Sequence, residues 1–316
     1  MKISGFTFVR DGVKLYYPIK ESIESILPIV DEFVVALGDC SEDDKSREAI
    51  KSIGSSKIKI IDTVWDIEKF PNGTEHAHQT DIAKSHCTGD WLFYLQGDEV
   101  IHEKYLPVIV ARCKELSKDK SVEGLLFDYL HFYGDYDHYV WGHGWYQNEI
   151  RIVRNDPDIH SYISAQSFRH IPNFDGLHYR QREGTRHLNV AKVEASVYHY
   201  GWVRPPKLMQ SKSKVFNTTH TGKENVEKMY ADQPDYFDYG PMKKMEVFKQ
   251  THPKVMDEKI KDFHWADQLN YSDDYTVNRP KMKHEKTKYK ILTSLEKNLN
   301  GGKEIFGYSN WKLLER

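Results

Sequence analysis

Cysteines, long apolar runs and net charge are all scarce in this sequence. Only three cysteines occur, at Cys40, Cys87 and Cys113, and no two of them form a CxxC pair. This pattern is typical of a reducing compartment and argues against a disulfide framework or a cysteine-based zinc site. No apolar run approaches the roughly 20 residues that a membrane-spanning helix needs, and the N-terminus reaches charged residues too soon for a signal peptide. We therefore expect a soluble, cytoplasmic protein, at most in peripheral contact with a membrane.

The overall charge gives no reason to expect a strongly charged partner. The formal net charge is −2, so no global field attracts nucleic acid or an anionic membrane. A local basic stretch does occur near the C-terminus, with lysines at 281, 283, 286, 288 and 290. Such a stretch is most often a solvated helix face, and contact with phosphate or a membrane surface is the alternative.

The first 130 residues alternate short apolar runs with apolar residues at helical spacing. Strands are predicted at 3–9, 32–37, 58–64 and 91–95, and helices are predicted near 15–30, 41–50, 80–86 and 105–116. This order predicts an α/β fold, Rossmann-like, with a mostly parallel sheet flanked by helices. Residues 1–203 are predicted to form the catalytic domain, and residues 204–316 a mostly helical extension packed on it.

Polar and acidic residues follow three of the predicted strands. Arg10 follows the first strand, Asp39 and Ser41 follow the second, and Gln96 and Asp98 follow the fourth. Ligands of an open parallel sheet bind beyond the carboxyl ends of its strands, so these residues mark the predicted site. Because carboxylates at one edge repel each other, a cation is expected between them. Mg²⁺ or Mn²⁺ binds carboxylate and phosphate oxygens together, so Asp98 is expected to hold a metal against a diphosphate.

Two segments resemble the central motifs of the family 2 glycosyltransferases, enzymes with the GT-A fold. They are LGDCSEDD at 37–44 and GDWLFYLQGDEVI at 89–101. The resemblance extends more loosely through EGLLFDYLHFYG, EIRIVRN and VYHYGWVRPP. It implies that Asp39 and Ser41 contact the nucleotide and that Asp98 binds the metal and the diphosphate. It also implies that Arg10 and Asp81 lie near the donor, with Asp81 standing where the family often has Asn.

Gln96 departs from the family pattern, because it replaces the first acid of the Asp-x-Asp element. Its amide oxygen can accept a hydrogen bond from a ribose or from a metal-bound water, but it brings no charge. The family often supplies a late histidine that joins the metal, and His199 in VYHYG matches that position. Histidine is a credible ligand for Mn²⁺ and a poorer one for Mg²⁺.

An inverting transfer also needs a carboxylate that deprotonates the acceptor hydroxyl. Glu149, at the start of EIRIV, is the first candidate, followed by Glu99 and Asp128. The aromatic segment YGDYDHYVWGHGWY at 133–146 is expected either to cover the acceptor as a lid or to be a packed loop.

These features predict a metal-dependent, inverting glycosyltransferase that uses a nucleoside-diphosphate sugar and a glycan or lipid-linked saccharide as acceptor. The same chemistry on a modified DNA base is an alternative, motivated by the lysine- and tyrosine-rich C-terminal third and opposed by the near-neutral charge. A non-catalytic protein that binds nucleotide sugars is another, motivated by Gln96. A nucleotidyltransferase is disfavoured, because FVRDGVKLYYP after the first strand is not glycine-rich.

Overall fold

One mixed sheet with helices on both faces organises the chain. The computed structural model describes residues 1–272, 275–301, 304–305, 307 and 309–316. The strands are β1 Ile3–Val9, β2 Glu32–Leu37, β3 Ile58–Asp62, β4 Trp91–Tyr94, β5 Glu99–Ile101, β6 Gly124–Tyr133, β7 His138–Val140, β8 Asn148–Arg154, β9 Ile159–Tyr162, β10 Ser167–His170, β11 Arg186–Trp202, β12 Glu246–Val247 and β13 Trp311–Leu313. The helices are α1 Ile19–Ile26, α2 Ser46–Ser52, α3 Thr74–Ser85, α4 Leu106–Glu115, α5 Pro206–Thr221, α6 Lys223–Tyr230, α7 Asp257–Lys261 and α8 Thr287–Leu299.

The first four strands form the parallel part of the sheet, in the order β3-β2-β1-β4. The chain runs outward from β1 to β3 and then returns to place β4 on the other side of β1. This reversal creates a crevice between the carboxyl ends of β1 and β4, which is where ligands of such sheets bind. The predicted α/β class is confirmed.

The second half of the sheet adds antiparallel pairs. β8 lies between β4 and β6 and is antiparallel to both, whereas β6 and β11 are parallel. Short β5 is antiparallel to the end of β11, with Glu99 opposite His199. This pairing joins the loop after β4 to the end of β11, two segments about one hundred residues apart in the chain, and so it builds the site.

Apolar side chains on both faces explain why helices cover both faces. Phe33 and Val35 of β2 pack in the same cluster as Ile23 of α1, and Val34 packs on the other face in the same cluster as Ala83 of α3. All five of these side chains have no exposed surface. Strands buried on both sides form continuous apolar runs, which is why the sequence predicted them well.

Three predicted helix starts differ from the structure. Helix α1 begins at Ile19 rather than near residue 15. Helix α2 begins at Ser46 rather than just after Ser41, because the Asp44 carboxylate accepts hydrogen bonds from the backbone N–H groups of Lys14 and Ser46. Helix α3 begins at Thr74, six residues before the prediction, in a stretch with few apolar residues. Gly73, with φ of +80°, precedes it and allows the sharp entry into the helix.

The chain after residue 203 packs on the sheet through an aromatic cluster. Met242, Met256 and Trp265 lie fully buried against Phe132 and Tyr200 of the sheet. The Trp265 indole N–H also donates to the carbonyl of Gly134, 2.9 Å away. Of the helices that the structure describes, none has both the length and the apolar character needed to span a bilayer. The division into domains at residue 203 stays a prediction.

Candidate active site

Asp98 and His199 face each other in the crevice at the carboxyl end of β4. Asp98 Oδ2 lies 3.6 Å from His199 Nε2, and both residues are buried. The backbone N–H of Tyr200 donates to the carbonyl of Asp98, which fixes the loop against β11. A side chain at Gly201 would prevent this approach, since a Cβ there would lie 2.5 Å from Asp98 Oδ2 and 2.6 Å from His199 Nε2.

The two facing atoms can share a divalent cation. Ligand atoms about 2.0–2.2 Å from one ion can stand up to about 4.3 Å apart, so the separation of 3.6 Å fits. Mg²⁺ and related ions commonly take one or two protein ligands and fill the remaining positions with water and substrate phosphate. The structure therefore brings together the two predicted metal ligands, Asp98 and His199.

A second histidine, His131, orients His199. His131 Nε2 lies 2.7 Å from the Tyr146 carbonyl oxygen, and His131 Nδ1 lies 3.1 Å from His199 Nδ1. The carbonyl can only accept, so His131 Nε2 carries a proton. Burial, together with the neighbouring His199, lowers the pKa of His131 to about 3, so the ring is neutral and its Nδ1 accepts from His199 Nδ1–H. With a proton held at Nδ1, His199 can offer the lone pair of its Nε2 on the side of Asp98, as a metal ligand requires.

Two further cations, Lys212 and Arg204, surround the Asp98 carboxylate. Burial alone would raise the pKa of Asp98. The neighbouring His199, Lys212 and Arg204 more than offset this and hold that pKa well below its usual range. Burial also lowers the pKa of Lys212 to about 8, with Arg204 adding to the effect and Asp98 opposing it. One buried carboxylate among these cations leaves a net positive site.

Arg204 has hydrogen-bonding capacity that the described residues do not use. Its side chain is fully buried, stacks on the Tyr17 ring at 4.6 Å, and donates from Nη1 to the Leu15 carbonyl. Its Nε and Nη2 are buried without a hydrogen-bond partner. Buried unpaired guanidinium nitrogens are costly, so they indicate a site for an anion. Arg204, Lys212 and His131 were not predicted from the sequence, although Arg204 lies within the quoted VYHYGWVRPP segment and His131 within EGLLFDYLHFYG.

The ends of β1 and β2 hold the predicted nucleotide residues. Arg10 Nη2 lies 3.2 Å from Asp39 Oδ2, and the Arg10 guanidinium lies over the Trp65 ring at 5.3 Å. The Asp39 Oδ1 atom accepts from the Trp65 backbone N–H. Trp65 packs against the backbone of Gly38, and its indole Nε1 is buried without a partner. Ser41 lies in the same loop, where its backbone N–H donates to Asp11.

Asp81 and the amide nitrogen of Gln96 make contacts within the fold. The Gln96 amide nitrogen donates to the carbonyl of Ala165, 2.9 Å away. The Asp81 Oδ2 atom lies 2.8 Å from His160 Nδ1, and Oδ1 accepts from the Ser161 backbone N–H. Asp81 therefore ties α3 to β9, and the donor contacts of both residues stay predictions.

Glu99 belongs to a closed ion pair. Its two oxygens accept hydrogen bonds from Arg151 at 2.7 and 2.8 Å, and the Tyr129 hydroxyl donates to Oε1 at 2.8 Å. Glu99 and Arg151 are both fully buried. Both oxygens of this carboxylate are held by hydrogen bonds, which leaves them poorly placed to take the proton of a substrate hydroxyl. The geometry therefore gives Glu99 a structural role rather than that of a base.

Glu149 has a free oxygen. It is 4% exposed, and its Oε2 has no hydrogen-bond partner among the described residues. Burial raises its pKa to about 8, although Arg151 opposes the increase. Burial raises the Tyr146 pKa well above its usual value, and the acids Glu99, Glu149 and Asp98 all add to the effect.

Asp128 lies on the opposite face of the sheet. Successive residues of a strand point to opposite faces, and Tyr129 of β6 points to the face of Glu99. Asp128 instead bonds to Asn148 at 2.6 Å and to Lys192 at 3.1 Å. The prediction of Asp128 as a base is therefore corrected, because strand alternation turns its carboxylate away from the site.

The aromatic segment at 133–146 adjoins the site. Its Trp145 ring lies 5.1 Å from His131 and 5.6 Å from Trp202, and Lys212 lies 5.2 Å over Trp202. Both tryptophans are partly exposed. Flat rings beside a polar centre suit the face of a sugar ring, so these residues are the candidates for acceptor contact.

Comparison with known proteins finds similarity among solved structures only. No family model and no curated protein match the chain. A structure of glucosyl-3-phosphoglycerate synthase from Mycobacterium tuberculosis, in complex with Mn²⁺, UDP and phosphoglyceric acid, is 17% identical over 42% of this chain and 43% of its own, with a TM-score of 0.28. S. aureus TarS 1–349 is 14% identical over 73% of this chain and 70% of its own, with a TM-score of 0.36. The same TarS fragment in complex with UDP is 15% identical over the same shares, also at 0.36.

The matched region thus spans less than half of the mycobacterial enzyme. Identities and TM-scores this low do not establish an activity, which has to follow from the side chains of the chain itself.

Proposed function

We propose that this protein is a metal-dependent glycosyltransferase of the GT-A type, which moves a sugar from a nucleoside diphosphate to an acceptor hydroxyl. The observation that carries the proposal is the buried Asp98–His199 pair, held in place by His131 and flanked by Arg204 and Lys212. It lies where a parallel sheet binds its ligands. These side chains suit the binding of a cation and a diphosphate together.

Asp98 and His199 would hold Mn²⁺ or Mg²⁺ on the carboxylate and on imidazole Nε2. When bound, the ion supplies positive charge to the departing diphosphate. His131 Nδ1 accepts a hydrogen bond from His199 Nδ1–H. This hydrogen bond keeps the proton of His199 on Nδ1 and leaves the lone pair of Nε2 available to the ion. Histidine among the ligands favours Mn²⁺ over Mg²⁺.

Arg204 and Lys212 would bind the diphosphate directly. The unpartnered Nε and Nη2 of Arg204 match the paired oxygens of a phosphate, and Lys212 adds a positive charge beside Asp98. Both groups are already fixed before the reaction. Charge that develops on the leaving group therefore meets preorganised donors, which is the arrangement that lowers a barrier most.

Arg10, Asp39 and Trp65 would bind the nucleoside. The Asp39 carboxylate can accept from a ribose hydroxyl or a base N–H, while Arg10 positions it. The unpartnered Trp65 Nε1 offers one further donor. Ser41 belongs to the same loop and stays a prediction as a nucleotide contact.

Glu149 would serve as the base of an inverting transfer. Its free Oε2 accepts the proton of the acceptor hydroxyl as that oxygen attacks the sugar on the face opposite the diphosphate. Trp145 and Trp202 would present the acceptor, for which a saccharide is the class that stacks best on such rings.

The experiment is a turnover assay with a panel of UDP-, GDP-, CDP- and dTDP-sugars in Mn²⁺, which measures release of the nucleoside diphosphate. We expect at least one donor to be hydrolysed or transferred, and Asp98→Asn to lower that rate by about 100-fold or more. Asp128→Asn, on the other face of the sheet, is the matched control and should keep the rate. An equal rate in Asp98→Asn, or no turnover of any donor, would refute the proposal.

A further inference from the structure

Helix α8 carries an apolar stripe that no described part of the chain covers. Ile291, Leu295 and Leu299 follow each other at intervals of four residues and are 56%, 38% and 78% exposed. Side chains at this spacing lie on one side of a helix. Single exposed apolar residues are ordinary, but a row along one helix requires an explanation.

The other side of α8 holds the helix on the protein. The Thr293 hydroxyl accepts from the His143 backbone N–H at 2.9 Å. The fully buried Glu296 lies 2.6 Å from the His143 ring. Tyr289 also packs on that ring, with centroids 5.5 Å apart. The exposed stripe is therefore not the helix's own packing face.

Lysines are frequent on α8 and in the residues just before it, and the acids of this segment are already engaged. Between residues 281 and 301 there are six lysines and two glutamates. Glu285 binds Arg279, and Glu296 binds His143. Lys297 binds Glu246, whereas the lysines at 281, 283, 286, 288 and 290 are exposed to solvent. The chain as a whole carries −2, so this positive charge is local.

We infer that α8 is a membrane-surface helix that docks on bilayers containing anionic lipid. The stripe enters the boundary between headgroups and acyl chains, and the lysines reach the lipid phosphates, as in other interfacial helices. Long lysine side chains allow this, because the charged end stays in water while the stem lies on apolar surface. The inference goes beyond the proposed function and does not depend on it.

Charge favours an anionic bilayer over a second copy of the chain as the partner of the stripe. Two α8 helices meeting through their stripes would bring like-charged lysines together, which opposes a dimer. An anionic bilayer supplies both the apolar depth and the opposite charge. Only the helix surface is involved, which agrees with the absence of a spanning helix from the described residues.

The experiment is co-sedimentation of the full chain with vesicles of phosphatidylcholine alone and of phosphatidylcholine with phosphatidylglycerol. We expect binding to the anionic vesicles only, weakening as salt is raised. A stripe variant with Ile291, Leu295 and Leu299 changed to Ser should bind at least about tenfold more weakly. A charge variant with Lys286, Lys288 and Lys290 changed to Glu should lose binding as well.

The matched control replaces three apolar residues that are exposed elsewhere, Val108, Leu177 and Met229, by Ser. It should bind vesicles as the wild type does, and all variants should unfold at similar temperatures. Binding that the stripe variant retains would overturn the inference, as would equal binding to neutral vesicles or no binding at all. Self-association in sedimentation velocity that the stripe variant abolishes would assign the stripe to a dimer instead.

Discussion

At the scale of single residues, Glu149 has the clearest consequence for pH dependence. Burial raises its pKa from 4.5 to about 8. Between these values the folded protein binds more protons than the unfolded chain, so stability falls as pH rises from about 5 to about 8. We expect Glu149→Gln to remove most of this loss, on the order of a few kcal/mol, in denaturant titrations at several pH values.

The exposed Glu194 on β11 provides the control for that titration. Glu194→Gln should leave the pH profile of the wild type unchanged. If Glu149→Gln showed the same slope as the wild type, the buried carboxyl would not be protonated in the folded protein. A base with a pKa of about 8 also predicts that turnover rises with pH up to that value.

Gly201 is the residue on which the Asp98–His199 geometry depends. A methyl group there would meet both facing atoms, at 2.5 and 2.6 Å. Because one side chain would have to move, we expect Gly201→Ala to weaken Mn²⁺-dependent nucleotide binding by about tenfold or more and to cost about 1–3 kcal/mol of stability. Isothermal titration calorimetry and thermal unfolding measure the two effects.

Gly97→Ala is the matched change in the neighbouring loop, since its added carbon meets no atom nearer than 3.5 Å. It should bind nucleotide almost as the wild type does. Equal behaviour of the two alanine variants would show that crowding at the Asp98–His199 pair is not the cause.

The sequence predicted individual site residues where a strand end or a family motif carried them. Asp98 and Asp39 follow predicted strands, whereas His199 was predicted from the family resemblance, and the structure places Asp98 beside His199. Lys212 was missed because its helix reaches the crevice only through tertiary packing. Side chains alternate between the two faces of a sheet along a strand, so Asp128 and Tyr129 of β6 must lie on opposite faces. The sequence did not show which of these faces holds the site.

At the scale of elements, α5 links the proposed nucleotide side of the crevice to the proposed metal side. Lys212 lies beside Asp98, and one turn further on Phe216 stacks on His76 of α3 at 6.1 Å. At the C-terminal end of α5, the Thr219 carbonyl accepts from the backbone N–H of Gly73, and a Cβ at Gly73 would collide with His220. The position of Lys212 therefore depends on how α5 packs at the start of α3.

We expect Gly73→Ala to displace α5 and to lower the affinity for a nucleoside diphosphate by about tenfold, with a smaller effect on the nucleoside alone. Calorimetric titration with both ligands measures this difference. Gly222→Ala is the control, because Gly222 also has a left-handed φ, of +82°, but its Cβ would meet nothing within 4 Å. If both variants lost the same affinity, backbone strain rather than the position of α5 would explain it.

The elements themselves were largely predictable, and the exceptions share a cause. The strands β1, β2 and β4 are apolar runs, and they appear within one residue of the prediction. Helix α3 begins with polar residues and packs on β1 and β2 through the small side chain of Ala83, which lies in one cluster with Phe6 and Val34. The local apolar pattern gives no signal for the start of α3, because the residues that this helix packs against lie far away in the chain.

At the scale of the whole molecule, the aromatic cluster joins the sheet to the chain beyond residue 203. Trp265 is fully buried in it, beside Phe132 and Tyr200. We expect one cooperative unfolding transition in calorimetry, which Trp265→Ala should shift as a whole by about 3–5 kcal/mol. Residues 1–203 alone should fail to fold, because this apolar surface would be exposed. Two separate transitions, or a folded 1–203 fragment, would contradict this.

The proposed activity requires that Asp98 and His199 hold a cation that binds the diphosphate of the donor. Isothermal titration calorimetry of UDP, GDP, CDP and dTDP, with and without Mn²⁺, on the wild type and on Asp98→Asn measures this directly. We expect Mn²⁺ to tighten binding of the preferred nucleotide by about tenfold or more in the wild type and to have little effect in the variant. Nucleotide binding that ignores Mn²⁺, or an equal Mn²⁺ effect in Asp98→Asn, would contradict it.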